Sequence, residues 1–124
     1  MWMVPTRSLV IGKEVEDDVD IAFPKPASDG IVIDETTGVL YLTDFEHSAI
    51  WIADPVVPGR AKTLIKNELL LRWPDGLSAS RGYLWITPSA LHELLEESPK
   101  LRAPYPILRM PLVRPVDDDQ KSEL

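Results

Sequence analysis

Two aspartate–glycine pairs, Asp29-Gly30 and Asp75-Gly76, are the first residues here whose types and spacing could do chemistry. Carboxylate oxygens are the hard donors that calcium takes, which makes Asp29 and Asp75 the metal candidates, although a calcium site needs about six or more oxygens. A conformational reading competes: each aspartate hydrogen-bonds its own turn while Gly30 or Gly76 supplies backbone freedom. A second group comprises Thr43, Asp44, Glu46 and His47, matched further along by Thr87, Ser89 and His92. Carboxylates there would pair with an ammonium ligand, and hydroxyls would orient it. The alternative makes Asp44 and Glu46 solvated loop acids and His47 a surface or packing histidine.

Other chemistries find little footing. His47 and His92 are too far apart in sequence for a helical zinc motif, although equivalent positions on adjacent blades could approach in space. Ser28, Ser48, Ser78, Ser80 and Ser89 lack a Gly-x-Ser-x-Gly elbow, and the chain has no glycine-rich phosphate loop. It contains no cysteine, which removes thiolate catalysis and disulfides and leaves the redox compartment unread. Trp51, Trp73 and Trp85 could form an aromatic cage; on strands such residues more often fill the space between sheets. On that reading Trp85→Ala would cost about 3–5 kcal/mol.

The elements that must position these residues are written as a repeat. Asp29-Gly30-Ile31 followed by Gly38-Val39-Leu40-Tyr41-Leu42-Thr43 is matched by Asp75-Gly76-Leu77 followed by Gly82-Tyr83-Leu84-Trp85-Ile86-Thr87. Asp75 follows Asp29 by 46 residues and Leu84 follows Leu40 by 44, within the roughly 40–50 residues of a four-stranded propeller blade. Trp2-Met3-Val4-Pro5, Trp51-Ile52-Ala53-Asp54-Pro55 and Leu108-Arg109-Met110-Pro111 each read as a short strand ended by proline, which cannot donate to a sheet ladder. Gly38 and Gly82 suit hairpin connections. Prolines 24, 26, 58, 74 and 88 argue against long helices, and the one helical stretch allowed is Ser89 to Glu97, with Ser89 as cap.

Counted as strands, the chain holds two outer strands (about Trp2 to Val10 and Val19 to Phe23), a four-stranded unit from Asp29 to Asn67, and three strands near Leu77, Tyr83 to Thr87 and Ile107 to Val113. The expected fold is all-β: about two and a half blades of antiparallel four-stranded sheets, a partial β-propeller over residues 1–116, with 117–124 as a polar acidic tail.

Composition fits one globular domain and excludes several partners. Of 124 residues, 44% are hydrophobic and 27% charged, and the net charge is −7, close to ordinary globular usage. Acids at Glu14 to Asp20, Glu93 to Glu97 and Asp117 to Asp119 read as solvated loops or tail. Such a surface repels phosphate backbones, so nucleic acid is not an expected partner. No apolar run reaches the roughly 20 residues that span a bilayer, so no membrane partner is expected. Met1 to Ile11 carries Pro5 and Arg7 and no small-residue cleavage site, unlike a signal peptide. Localisation is therefore unread from the chain. The closing Lys121 to Leu124 resembles a retrieval signal but reads as the end of the tail.

Five linked motifs carry a resemblance: Lys25 to Gly30, Tyr41 to Ile50, Arg72 to Leu77, Tyr83 to Thr87 followed by Leu91-His92, and Pro104 to Arg109. In this order they resemble the C-terminal third of the major royal jelly protein and Yellow family, whose bacterial members are labelled L-dopachrome tautomerase-related; the likeness covers about Trp2 to Val113. It implies a six-bladed propeller with a small-molecule site at the channel mouth, an amine in insect salivary members, and secretion for most animal members. On it, Asp29, Thr43, Asp44, Glu46, His47, Asp75, Thr87 and His92 would face the ligand. By position Asp29 and Asp75 also resemble the metal-binding turn of gluconolactonase-type propellers, which implies a metal-dependent hydrolase or isomerase as the enzyme alternative. The resemblance implies that the family's other blades are missing and that Met1 falls within outer strands, as in a truncated gene model, a split gene or an engineered fragment. The expected partners are then a small-molecule ligand and either the missing blades or a second copy, and the third reading is an incomplete domain with no activity of its own. No cofactor is expected, with calcium as the one alternative.

Overall fold

The computed structural model describes residues 1–10, 19–21, 23–55, 57, 60–98 and 102–113. The expected tail at 117–124, Pro58, and Glu14 to Asp18 of the first acidic run lie outside the described residues. The described residues are mostly strand, in antiparallel sheets of two, four and three strands. β1 (Trp2–Met3) pairs with β2 (Asp20–Ile21). Next come β3 (Ile31–Ile33), β4 (Leu40–Asp44), β5 (Ala49–Ala53) and β6 (Lys62–Lys66), hydrogen-bonded in sequence order. β7 (Pro74–Ser80), β8 (Tyr83–Pro88) and β9 (Leu108–Pro111) form the third sheet.

Sequence alternation decides the layering, because successive side chains of a strand point to opposite faces. In the four-stranded sheet Ile31 lies opposite Leu42 and Ile33 opposite Leu40, while Val32 pairs with Tyr41 and Tyr41 with Ile52 on the other face. The Tyr41 face meets Leu84 and Ile86 of β8, and with Val39, Ile50 and Leu71 they form the main core between the two larger sheets. The opposite face, Leu40 and Leu42, packs against Phe23 and Met1. Tyr41 also stitches the sheets together: its hydroxyl accepts from Val113 N at 3.0 Å and donates to Val113 O at 3.4 Å. Burial pushes that hydroxyl up from its ordinary pKa.

The connections follow local chemistry. The β7–β8 hairpin turns through Arg81 and Gly82, with φ of 52° and 78°, the positive values that a two-residue hairpin needs at both central positions. Before Gly38, the Asp34 carboxylate accepts from Thr37 Oγ1 at 2.6 Å and from Thr36 N at 3.1 Å. The Thr37 hydroxyl and the Thr36 amide hold Asp34 below the usual carboxylate range.

Three expectations are corrected. The outer strand expected over Trp2 to Val10 stops at Met3, and Thr6–Val10 is a short helix, α1; Pro5, with its φ preset for a first turn, supplies the carbonyl that accepts from Ser8 N at 2.9 Å. The helix expected over Ser89 to Glu97 is a 3₁₀ helix limited to Leu91–Leu94, entered through a left-handed Ala90 with no side-chain cap. Ser89 N and Ala90 N bond instead to Trp73 O and Arg72 O, so the backbone that would start the helix ties two segments together. Trp85, expected between the sheets, is only half-buried on the outer face of the third sheet, beneath the Arg109 guanidinium.

Leu84→Ala should therefore cost about 2–5 kcal/mol, the loss for a fully buried leucine. Trp85→Ala should cost about 1 kcal/mol, the scale of a partly exposed cation–π contact. Urea denaturation of the two variants checks this contrast between neighbours on one strand; equal losses would place Trp85 in the core.

Candidate functional site

The start of β3, the end of β4, the start of β7 and the end of β8 lie at one end of the two larger sheets, and the loops there carry the candidate residues. Thr43, the fourth residue of β4, is buried, and its hydroxyl accepts from Gly30 N at 2.9 Å and Asp29 N at 3.0 Å. This fixes the Asp29-Gly30 turn onto β4. Gly30 has a further role. A Cβ built there would lie 2.0 Å from the Asp75 carbonyl oxygen, so the absence of a side chain lets the two Asp-Gly pairs meet across the seam between sheets. Asp75 lies within β7 rather than in a turn before it, at an irregularity in the β7–β8 pairing between Pro74 and Gly76. The repeat holds in chemistry: the Thr87 hydroxyl donates to Gly76 O at 3.4 Å as the Thr43 hydroxyl does to Gly30 O.

Trp73 closes the seam. It sits in a left-handed conformation, φ 49°, and its ring stacks on Phe45 with centroids 4.3 Å apart and an interplanar angle of 10°. His92 lies parallel to it, its centroid 6.1 Å away. The indole Nε1 donates to Asp29 Oδ2 at 2.6 Å. One side chain of the segment before β7 thus touches the loops before β3, after β4 and after β8.

The remaining candidates fall elsewhere. Asp44 is buried, not a solvated loop acid. Its carboxylate accepts from His47 N at 3.1 Å and from Trp51 Nε1 at 3.0 Å, with His47 Nδ1 2.9 Å from Oδ1. It shapes the β4–β5 turn and leaves the His47 ring facing solvent. Glu46 is exposed in the same turn. The two histidines are held by different partners, Asp44 and Trp73. Among the described residues no three His, Asp or Glu side chains converge as a metal cage, and Asp29 spends one carboxylate oxygen on Trp73. The structure therefore brings together Asp29, Thr43, Asp75, Thr87 and His92, and sets Asp44 and His47 apart as a turn-forming pair. A cleft of about 560 Å³ at the opposite end, between the Asp34–Gly38 and Ser80–Gly82 hairpins, is lined by none of the candidate residues.

Beside the site lies a cluster that sequence reading misses. Glu93, expected in a solvated acidic run, is 1% exposed. It accepts from the Arg72 guanidinium, from Arg102 N at 3.0 Å and from Arg102 Nε at 3.2 Å. Arg72 also donates to Arg102 O and Pro104 O. The Arg102 amide foremost, then the Arg72 guanidinium, hold the Glu93 carboxyl below its ordinary value of 4.5 against the opposing effect of burial. The one available sequence signal was two arginines flanking an acid-rich segment, and it does not specify which acid folds inward.

No protein-family model matches this chain, and no curated protein matches it.

Two outcomes are expected. Gly30→Ala should destabilise the protein by about 3 kcal/mol, the upper part of the overpacking range, because backbone blocks its Cβ. Gly76→Ala should cost about 1 kcal/mol, since its Cβ would meet the Thr87 hydroxyl at 2.5 Å, the end of a side chain that can rotate. Thermal unfolding of the pair checks the order. For Glu93, a depressed folded-state pKa means stabilisation that is full above about 4.5 and is lost as pH falls through the lower folded value. Glu93→Gln should be less stable than the native protein at neutral pH, and the gap should narrow as the solution is acidified below the ordinary glutamate value; a gap constant with pH would contradict the assignment.

Proposed function

We propose that this chain forms the closing blades of a six-bladed β-propeller of the royal jelly and Yellow type. We further propose that it binds a small-molecule amine at the seam where Asp29 and Asp75 meet, without catalysis of its own. The observation that carries the reading is the close approach of the Asp75 backbone in β7 to the Asp29-Gly30 turn, which puts two acidic residues at one end of adjacent sheets in a chain whose sequence repeats at blade spacing. Asp29 is already engaged by Trp73, so Asp75 is the carboxylate assigned to the ligand's ammonium, with the Thr87 hydroxyl against the next residue, Gly76, and Glu46 as a peripheral acid. Phe45 and His92 flank Trp73 with rings that an aromatic amine can pack beside.

Calorimetric titration of the full chain with tyramine tests this. Binding should weaken about tenfold or more in Asp75→Asn, the scale of a lost charge-assisted hydrogen bond. Glu35→Gln, at the opposite end of the sheets, should bind as the native protein does. Absence of binding, equal binding by Asp75→Asn, or calcium-dependent turnover would overturn the reading; the last would favour a metal-dependent hydrolase or isomerase.

A further inference from the structure

Two non-glycine residues beside the seam hold left-handed backbone, Trp73 with φ 49° and Ala90 with φ 51°. Such residues persist only where their surroundings over-determine them, and they gather at ligand clamps. Here the surroundings form a closed circuit. Ala90 N donates to Arg72 O at 2.9 Å and Ser89 N to Trp73 O at 3.0 Å, while Glu93 N donates to Ala90 O at 2.9 Å. The Arg72 guanidinium closes the circuit on the buried Glu93 carboxylate.

The sequence neighbours of this ion pair are two rings of the aromatic stack. Trp73 follows Arg72 and His92 precedes Glu93, so each charge sits one residue from one of two side chains whose rings lie parallel with centroids 6.1 Å apart. Arg72 also donates to Arg102 O at 2.7 Å and Pro104 O at 2.9 Å, and Glu93 accepts from Arg102 N at 3.0 Å. These groups are spent on each other and on backbone of the 102–104 segment, so any effect on the seam travels through the backbone they hold. Burying two charges costs solvation that their attraction only partly offsets; what the pair supplies is one fixed geometry.

We infer that Glu93, acting through Arg72, is a positioning residue of the seam: it sets how the Trp73 and His92 rings stand beside Phe45, and so gives the site a preference for aromatic over aliphatic amines. The ligand in this inference rests on the amine reading above, and the geometry rests on the contacts themselves. Asp75 offers charge to any ammonium, aromatic or not. Only rings held in place can tell the two kinds of amine apart. Loosening the ion pair therefore lowers selectivity and leaves charge recognition intact.

Calorimetric titration of the full chain and of Glu93→Gln with tyramine and with butylamine tests the selectivity. Tyramine binding should weaken about fivefold in the variant, the scale of one lost aromatic contact, while butylamine binding stays as in the native protein. Equal loss of both amines would mean general damage to the site, and loss of neither would mean that the pair does not position the rings; either result overturns the inference. A ligand-free measurement separates it from the amine reading. Trp73 emission, isolated as the difference between each protein and its Trp73→Phe counterpart, should move to longer wavelength in Glu93→Gln as the indole loosens from the stack. If the native chain binds no amine, the amine reading fails, and this emission decides whether Glu93 positions the stack; an unmoved spectrum says that it does not. Arg72→Lys keeps the charge but not the planar fork. It should show the same changes to a smaller extent, and it carries the test if circular dichroism shows Glu93→Gln unfolded.

Discussion

The close approach of the Asp75 carbonyl to Gly30 is the constraint on which the rest of this structure depends. With any side chain at position 30 the first strand of the three-stranded sheet could not come this near the first strand of the four-stranded one. The sheets would then part at the end where the loops gather. Thr43 makes the approach stable by accepting from two backbone amides that would otherwise be unpaired in a buried setting. The Trp73 indole then spans the gap that the approach leaves, stacked between Phe45 and His92 and hydrogen-bonded to Asp29. Apolar contact between the Tyr41 and Leu84 faces supplies the bulk of the attraction, but it has no direction; the glycine and threonine set where along the strands it occurs.

This division of labour separates the acids that hold the fold from those at its surface. Asp34, Asp44 and Glu93 are buried, and each is saturated by hydroxyl, amide, indole or guanidinium donors. They hold turns and tie the segment after β8 to its neighbours. Asp29 is shared between the seam and solvent. Asp75 is half-buried in β7 and Glu46 exposed in the β4–β5 turn, so on the proposed reading these two, unlike the buried acids, can meet an amine.

Much of the β architecture is legible in the sequence. The β-branched and aromatic runs at Ile31 to Ile33 and Val39 to Leu42, repeated at Tyr83 to Thr87, mark strands, Arg81-Gly82 marks a hairpin, and the prolines after Met3 and at Pro111 end strands. These signals are local, so a one-dimensional reading captures them. The misread residues depend on partners distant in sequence. Glu93 among Glu93, Glu96 and Glu97 looks like any solvated acid until Arg72 and Arg102 are brought to it, and Trp73 becomes a clamp only because Asp29, Phe45 and His92 converge on it. The short helix after Pro5 was hidden for the opposite reason: its five residues are too few to show a helical period.

The claim that the candidate residues form a clamp between sheets is tested most directly by a double-mutant cycle on Asp29 and Trp73, measured by chemical denaturation of Asp29→Asn, Trp73→Phe and the double variant. Trp73→Phe keeps a ring in the stack and removes only the Nε1 donor. If the hydrogen bond couples the two sheets, the single losses should exceed the double loss by about 1 kcal/mol, the size expected for a hydrogen bond to a charged acceptor in a partly exposed site. Losses that simply add would show that the two residues act independently, and would contradict the clamp.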